Sequence, residues 1–177
     1  PKNLDSNFID QNRITHFSLV ATQLDRFIQT EVPLNRESKA ILLGGSKIPQ
    51  FLIQQSMDLN LPIHTSYGCS EMASQVCTTA KGATMGELMT AGKVLGGRKV
   101  KIDQEMRIQL NGKTRFLGYL QDYKLQKPFE EDGWFISNDL GEFDKNGFLQ
   151  VIGRLDRMFI SGGENIHPEQ IEQALIN

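Results

Sequence analysis

Two cysteines, three histidines and no apolar run of membrane length exclude several kinds of chemistry from this chain. Cys69 and Cys77 lie close together with no cluster of His or further Cys around them, so the spacing of a zinc site is missing. Two free thiols in a reducing cytoplasm are the reading that remains. His16, His64 and His167 are widely separated and unlike in context, which points to structural or surface use. No stretch approaches the ~20 apolar residues that a spanning helix needs. An excess of one charge is also lacking. Lys and Arg number 19 against 21 Asp and Glu, for a net charge of -2, which gives no footprint for nucleic acid or an anionic membrane. No internal repeat or low-complexity tract is present. The first residues, Pro1-Lys2-Asn3-Leu4-Asp5, lack an initiator Met and the pattern of a signal peptide. Ile176-Asn177 closes the sequence inside a helical pattern, so both ends read as cut from a longer protein.

What is present is an ordinary globular composition, 39% hydrophobic and 23% charged over 177 residues. A chain of that length buries roughly 70% of its unfolded surface, which allows a sizeable core. Residues 14–20 read as a strand, followed by a helical stripe of Val20, Ala21, Leu24, Phe27 and Ile28. Ala40-Ile41-Leu42-Leu43 is a short, wholly apolar strand ending in Gly44-Gly45. Ile48, Phe51, Leu52 and Gln55 predict a helix with Pro49 in its first turn. Leu61 to His64 is again strand-like and leads into Tyr67-Gly68. Strands alternating with helices predict parallel pairing, and ligands in such sheets bind past the carboxyl ends of the strands. Gly44-Gly45 and Tyr67-Gly68 fall at those predicted ends.

After about residue 80 glycines break the chain into short pieces. Asn111-Gly112 separates Met106–Leu110 from Thr114–Leu120, and Asn146-Gly147 separates Glu142–Phe143 from Phe148–Ile152. Asn-Gly between β-rich runs signals a hairpin. The predicted organisation is α/β: 1–79 closes a parallel α/β subdomain, 80–155 forms an antiparallel barrel-like subdomain, and 156–177 begins a small α+β domain. In that last part Pro168 opens a helix with Ile171, Ala174 and Leu175 on one face.

Several segments set flexible backbone beside reactive side chains. In Tyr67-Gly68-Cys69-Ser70-Glu71 a ring face suits a purine, glycine admits a ligand to the backbone, Ser70 can donate to a phosphate and Glu71 suits Mg²⁺. The same residues also fit a core tyrosine followed by a polar turn. Gly44-Gly45-Ser46 offers bare backbone for a planar group, or is a plain turn. Asp139, in Trp134–Gly141, can accept two hydrogen bonds from a ribose diol, or form a turn. Arg154 can grip a ribose or phosphate in a bidentate fork. Asp156 also fits a surface pair with Arg157 that contributes little. Ser161-Gly162-Gly163-Glu164 reads as a mobile loop or an ordinary connection. Lys81 and Lys93 read as solvated.

In this order and spacing the segments resemble the adenylate-forming superfamily of acyl-CoA synthetases, adenylation domains and beetle luciferases, over nearly the whole chain. Tyr67–Glu71 is similar to the family's Tyr-Gly-x-Ser/Thr-Glu motif, and Trp134–Leu140 to its Trp-x-x-Thr-Gly-Asp-Leu motif. Gly153–Glu172 resembles its long Gly-Arg-x-x-Asp pattern with Gly-Glu-x-Ile-x-Pro behind it. The resemblance implies that Gly44, Gly45 and Ser46 line one face of adenine and Tyr67 the other, beside Gly68. It implies that Ser70 meets the α-phosphate, Glu71 holds Mg²⁺, and Asp139 binds the ribose with Arg154 beside it. Asp156 becomes the hinge of a rotating C-terminal domain, and Ser161, Gly162, Gly163 and Glu164 shape a tunnel for CoA. Ser137-Asn138 stands where the motif has Thr-Gly, adding a side chain. The family's phosphate-gripping loop falls before Pro1, and its catalytic lysine after Asn177. Arg13–Leu24, Tyr67–Cys77 and Gly153–Glu164 further resemble the bacterial o-succinylbenzoate–CoA ligases. The implied function is ATP- and Mg²⁺-dependent conversion of a small carboxylic acid to its CoA thioester, in the cytoplasm, within menaquinone biosynthesis. A ligase for another aromatic or fatty acid, an adenylation domain serving a carrier protein, and a non-catalytic nucleotide-binding module are the alternatives.

Overall fold

The computed structural model describes residues 6–29, 38–161 and 164–166, together with Pro168, Ile171 and Leu175. Helix α1 (Ser6–Gln11) precedes β1 (His16–Leu19), α2 (Ala21–Gln29), β2 (Ala40–Leu43), α3 (Gln50–Asp58) and β3 (Ile63–Cys69). The three strands pair in parallel, with Leu19 opposite Leu43 and Leu43 opposite Thr65. Helix α2 buries Leu24 and Phe27, three residues apart on one face, while α3 buries Leu52 and Ile53. These meet Leu19, Ile41, Leu43 and Ile63 in a first core. Truncating one such residue, Leu43→Ala for example, costs on the order of 2–5 kcal/mol. Pro49 sits at the helix N-cap with φ -56° and ψ 141°, one position earlier than predicted. Its missing N–H is no loss where helix N–H groups have no internal partner anyway.

Strand β3 outruns β2. Beyond Thr65 it leaves the parallel ladder and pairs antiparallel with β4 (Ser74–Thr78). Tyr67 and Gly68 therefore lie inside the strand and not beyond its end, which corrects the sequence reading. Tyr67 lies opposite Cys77 and Gly68 opposite Gln75, with the register shifting between them. Gly68 is demanded by that shift, since a Cβ there would sit 2.2 Å from the Ser74 carbonyl oxygen. A 3-10 turn, Ser70–Met72, reverses the chain between the strands. Helix α4 (Met85–Leu88), held by a capping box of Thr84 and Glu87, leads to β5 (Lys93–Val94). The sheet runs β1-β2-β3-β4-β5 and is mixed. Packing runs across residue 80, with Leu88 in the first core and Val76 and Cys77 in the second.

The second sheet is built from β6 (Arg98–Ile102) and β7 (Arg107–Gly112). A small hairpin of β8 (Tyr119–Gln121) and β9 (Lys124–Gln126) intervenes before β10 (Phe135–Phe143) and β11 (Leu149–Arg154). The sheet order is β11-β10-β7-β6, antiparallel throughout, as expected for this half. The hairpin assigned to Asn146-Gly147 is present, with Asp144 Oδ1 accepting from the N–H groups of Asn146 and Phe148. The one assigned to Asn111-Gly112 is not. Both residues lie in β7, and the chain turns instead at Asp103–Met106, where Asp103 Oδ1 accepts from the N–H groups of Glu105 and Arg107. Gly112 answers a close approach: at φ +140° its Cβ would fall 2.3 Å from the Gly97 carbonyl oxygen. Ile108, Leu110, Phe135 and Leu149 pack with Met72, Val76 and Cys77 in the second core.

A 3-10 turn, Leu155–Arg157, follows β11 and leads to a two-stranded ladder of β12 (Phe159–Ser161) and β13 (Glu164–Ile166). Pro168, Ile171 and Leu175 are helical, as predicted, and the latter two are exposed. Among the described residues no helix is long and apolar enough to cross a membrane.

Candidate functional site

Tyr67, Asp139, Arg154 and Asp156 come from three separate stretches of chain and form one hydrogen-bonded series. Asp139 owes its position to an irregularity in β10. The ladder with β7 passes from Ile136 opposite Gln109 to Leu140 opposite Arg107, so the intervening residues of β10 bulge out of register. Such bulges re-aim side chains at functional edges. Buried Ser137 closes the gap, its hydroxyl donating to the Ile108 carbonyl at 2.8 Å and accepting from the Asp139 N–H at 3.1 Å. The serine that departs from the motif is thus a structural part of the bulge. Asn138, the other departure, is exposed beside it.

The Asp139 side chain is 13% exposed and is contacted on both oxygens. Tyr67 donates its hydroxyl proton to Oδ2 at 2.6 Å, and Arg154 Nη1 lies 3.5 Å from Oδ1. Asp139 and Arg154 are direct cross-strand partners on β10 and β11. Burial, then the charge of Asp139 and the bond to it, push the Tyr67 phenol far above its ordinary value. Tyr67 is therefore a donor at any physiological pH. The rest of the Arg154 guanidinium grips Asp156, Nε to Oδ1 at 2.8 Å and Nη2 to Oδ2 at 2.7 Å. This is the bidentate geometry in which arginine and carboxylate bind best. The bond from Arg154, offset slightly by desolvation and aided by its charge and by the Asn138 side chain, holds Asp156 below the usual carboxylate range. Arg154 is raised in turn, first by its bond to Asp156 and further by the charge of Asp139.

Glu71 stands in the turn after β3. Partial burial pulls its carboxyl upward. The hydrogen bond from Tyr119, its own backbone N–H, Cys69 and the charge of Arg154 outweigh that pull and leave it below the ordinary value. Tyr119 donates to Glu71 Oε1 at 2.7 Å. Among the described residues no group of three or more His, Cys, Asp or Glu can hold a metal by itself. One half-exposed, ionised carboxylate fits Mg²⁺ nonetheless, because that ion keeps several waters and is shared with substrate phosphates.

Gly44 and Gly45 follow β2 immediately beside β3. A Cβ on Gly44 would lie 2.9 Å from Ser66 Oγ, the residue before Tyr67, and Gly45 has φ +82°. The Ser66 hydroxyl donates to the Leu43 carbonyl at 2.9 Å, tying the two strand ends. Ser46, Gly68 and Ser70 are exposed at the same end of the sheet. Ser161 and Glu164 pair across the β12–β13 ladder, and Gly162 and Gly163 between them lie outside the described residues, as does His167. Lys93 is exposed but lies 4.7 Å from the Phe148 ring. His64 Nδ1 is 2.9 Å from the Thr79 carbonyl and His16 Nδ1 2.8 Å from the Thr15 hydroxyl, both structural contacts. Cys69 and Cys77 are free thiols. Burial, with the Glu71 charge next, pushes Cys69 up to about 12, and burial does the same for Cys77. A groove lined by Thr84, Glu87, Lys93, Asp144 and Phe148 includes none of the cluster.

Sequence reasoning missed Tyr119 and the part played by Ser137. No local signal gives the first, since Tyr119 and Glu71 are 48 positions apart and meet only through folding. For the second, the mismatch to the motif was itself the clue.

No protein-family model matches the chain. It is 34% identical over 178 residues to a 2-succinylbenzoate–CoA ligase from Bacillus licheniformis, covering 96% of this chain and 37% of that protein. To the 2-succinylbenzoate–CoA ligase of Escherichia coli K12 it is 40% identical over 164 residues, covering 91% and 34%. The o-succinylbenzoate CoA synthetase (MenE) of Bacillus subtilis, solved with its acyl-adenylate intermediate OSB-AMP, superposes with a TM-score of 0.86 at 30% identity, over 96% of this chain and 37% of that one. The same enzyme solved with ATP and magnesium gives 0.86 at 29% identity, over 97% and 38%. The chain therefore spans about a third of the length of the curated relatives it matches.

Proposed function

We propose that this chain, a relative of the bacterial 2-succinylbenzoate–CoA ligases among the adenylate-forming ligases, belongs to a protein that makes an acyl-CoA from a carboxylic acid, ATP and CoA. The acid is o-succinylbenzoate, and the reaction belongs to menaquinone biosynthesis in the cytoplasm. The observation that carries the reading is Asp139, held on one oxygen by Tyr67 and faced on the other by Arg154, next to Asp156.

In the first step a carboxylate oxygen of the acid attacks the α-phosphorus of ATP. An acyl–oxygen–phosphorus bond forms and the bond to pyrophosphate breaks. The nucleophile is already anionic, so the protein's share is positioning and charge stabilisation. Asp139 accepts from the ribose hydroxyls, and Arg154 releases part of its grip on Asp156 to reach the ribose. Gly44 and Gly45 present flat backbone to one adenine face, with Ser46 beside them, and the Tyr67 ring covers the other. The bare backbone of Gly68 lets the nucleotide approach, and Ser70 donates to the α-phosphate. Glu71 would hold Mg²⁺, which would offset phosphate charge.

In the second step the CoA sulfur attacks the acyl carbonyl, loses its proton, and displaces AMP. Asp156 is the pivot that brings the segment beyond it to the site, with Ser161 and Glu164 of that segment toward the CoA. Separating two half-reactions by domain rotation is closure used as catalysis.

The test is ATP–pyrophosphate exchange by the full-length protein with o-succinylbenzoate and a panel of other carboxylic acids. Exchange with o-succinylbenzoate above all others, lost in Glu71→Ala, is the expected result. Exchange that prefers another acid discards the substrate, and exchange retained in Glu71→Ala discards the magnesium role.

A further inference from the structure

Glu71 is gripped at both its main chain and its carboxylate by one short stretch, residues 116–119. The Phe116 N–H donates to the Glu71 carbonyl at 2.7 Å, and the Tyr119 hydroxyl donates to Glu71 Oε1 at 2.7 Å. The stretch is itself anchored. The Phe116 ring meets Tyr119 edge-on at 4.9 Å, Phe129 at 5.5 Å and Phe135 at 5.6 Å. Phe135 belongs to the second core, and Phe116 and Phe129 pack against it. A glutamate has three side-chain torsions to fix before it can present its oxygens in one place, and fixing them costs free energy at the moment a ligand binds. A donor already holding the carboxylate removes part of that cost beforehand.

Resting on the reading of Glu71 given above, we propose that Tyr119 is a positioning residue for the magnesium carboxylate: its hydroxyl sets the rotamer of Glu71 so that the cation arriving with ATP meets a preoriented oxygen. Outer partners of this kind fix ligand orientation, and removing them typically weakens metal binding about 10- to 100-fold. The rest of the hairpin has no such contact to offer. Tyr123, at its tip, is 99% exposed.

Tyr119→Phe keeps the edge contact with Phe116 and deletes only the donor. In the full-length protein, Mn²⁺ standing in for Mg²⁺ is titrated in the presence of ATP and followed by electron paramagnetic resonance. The expected result is Mn²⁺ binding weakened about 10-fold or more in Tyr119→Phe and unchanged in Tyr123→Ser. In exchange assays the Mg²⁺ concentration for half-maximal rate rises, while kcat at saturating Mg²⁺ stays close to that of the parent. A purely structural tyrosine would not produce that split. Unchanged Mn²⁺ affinity in Tyr119→Phe, with affinity lost in Glu71→Ala, overturns the positioning role and leaves the Glu71 reading standing. Unchanged affinity in Glu71→Ala overturns both.

Discussion

Arg154 holds Asp156 with two parallel hydrogen bonds, 2.8 and 2.7 Å, and reaches Asp139 with its remaining nitrogen at 3.5 Å. One guanidinium thus joins the proposed ribose carboxylate to the proposed hinge, so nucleotide contact and domain rotation share a side chain. Arg154→Lys keeps the charge but cannot reproduce the fork. Loss of a charge-assisted hydrogen bond costs about 1.5–3 kcal/mol, so nucleotide affinity is expected to fall roughly 10- to 100-fold. Isothermal titration of the full-length protein with ATP checks this, and an affinity within twofold of the parent would count against Arg154 as a nucleotide contact.

The Asn138 side chain adds to the pull of Arg154 that holds Asp156 below its ordinary value. Restoring the glycine of the related motif, Asn138→Gly, frees Asp156 from that partner. The expected effect is a changed ratio between the two half-reactions, with thioester formation shifted more than ATP–pyrophosphate exchange. Rapid-quench measurement of each half-reaction reads the ratio; equal changes in both would assign Asn138 to general stability.

Tyr67→Phe deletes the donor to Asp139 while keeping the ring. The buried oxygen left behind costs about 1–3 kcal/mol, which urea unfolding measures. The ring face proposed to cover adenine survives, so the KM for ATP is expected to rise less than with Tyr67→Ala. The two variants behaving alike would deny the ring a separate role.

Two glycines separate fold from site. Gly68→Ala drives a methyl into backbone, 2.2 Å from the Ser74 carbonyl, and is expected to destabilise by roughly 2–3 kcal/mol or more. Gly44→Ala meets the Ser66 hydroxyl at 2.9 Å, and moving that hydroxyl costs its bond to the Leu43 carbonyl, about 0.5–1.5 kcal/mol. It should lower thermal stability less than Gly68→Ala does and raise the KM for ATP.

Cys77 gives a pH dependence with a definite sign. Burial raises its thiol from the ordinary 9.0 to about 12. Below pH 9 both folded and unfolded forms hold the proton, and the stability is fully present. Between 9 and 12 only the unfolded chain releases it, so stability falls as pH rises, by at most about 1.4 kcal/mol per pH unit for one group. Cys77→Ala should flatten the alkaline slope in denaturant titrations; an unchanged slope would contradict the burial effect.

The parallel strands, both crossover helices and the Asn146-Gly147 hairpin were legible because their signals are local: apolar periodicity, a proline before a helix, a turn dipeptide. Asn111-Gly112 carries the same dipeptide but is no turn, since Gly112 is required by the approach of Gly97 in the turn before β6. Tyr67 was read at a strand end because the apolar pattern stops at Ile63. The strand continues on pairing with β4, which sequence spacing does not reveal. The residues Tyr67, Asp139, Arg154 and Asp156 were individually visible, but their meeting depends on the β10 bulge that Ser137 closes. Tyr119 was invisible for the same reason, being joined to Glu71 only by the packing of Phe116.

The most direct test of the account is to incubate the full-length protein with o-succinylbenzoate, ATP, Mg²⁺ and CoA, and identify the products by mass spectrometry. The expected products are o-succinylbenzoyl-CoA and AMP, with both lost when Asp139 is replaced by alanine. No thioester from this acid or any other, with nucleotide still bound, would contradict it and leave a binding module in its place.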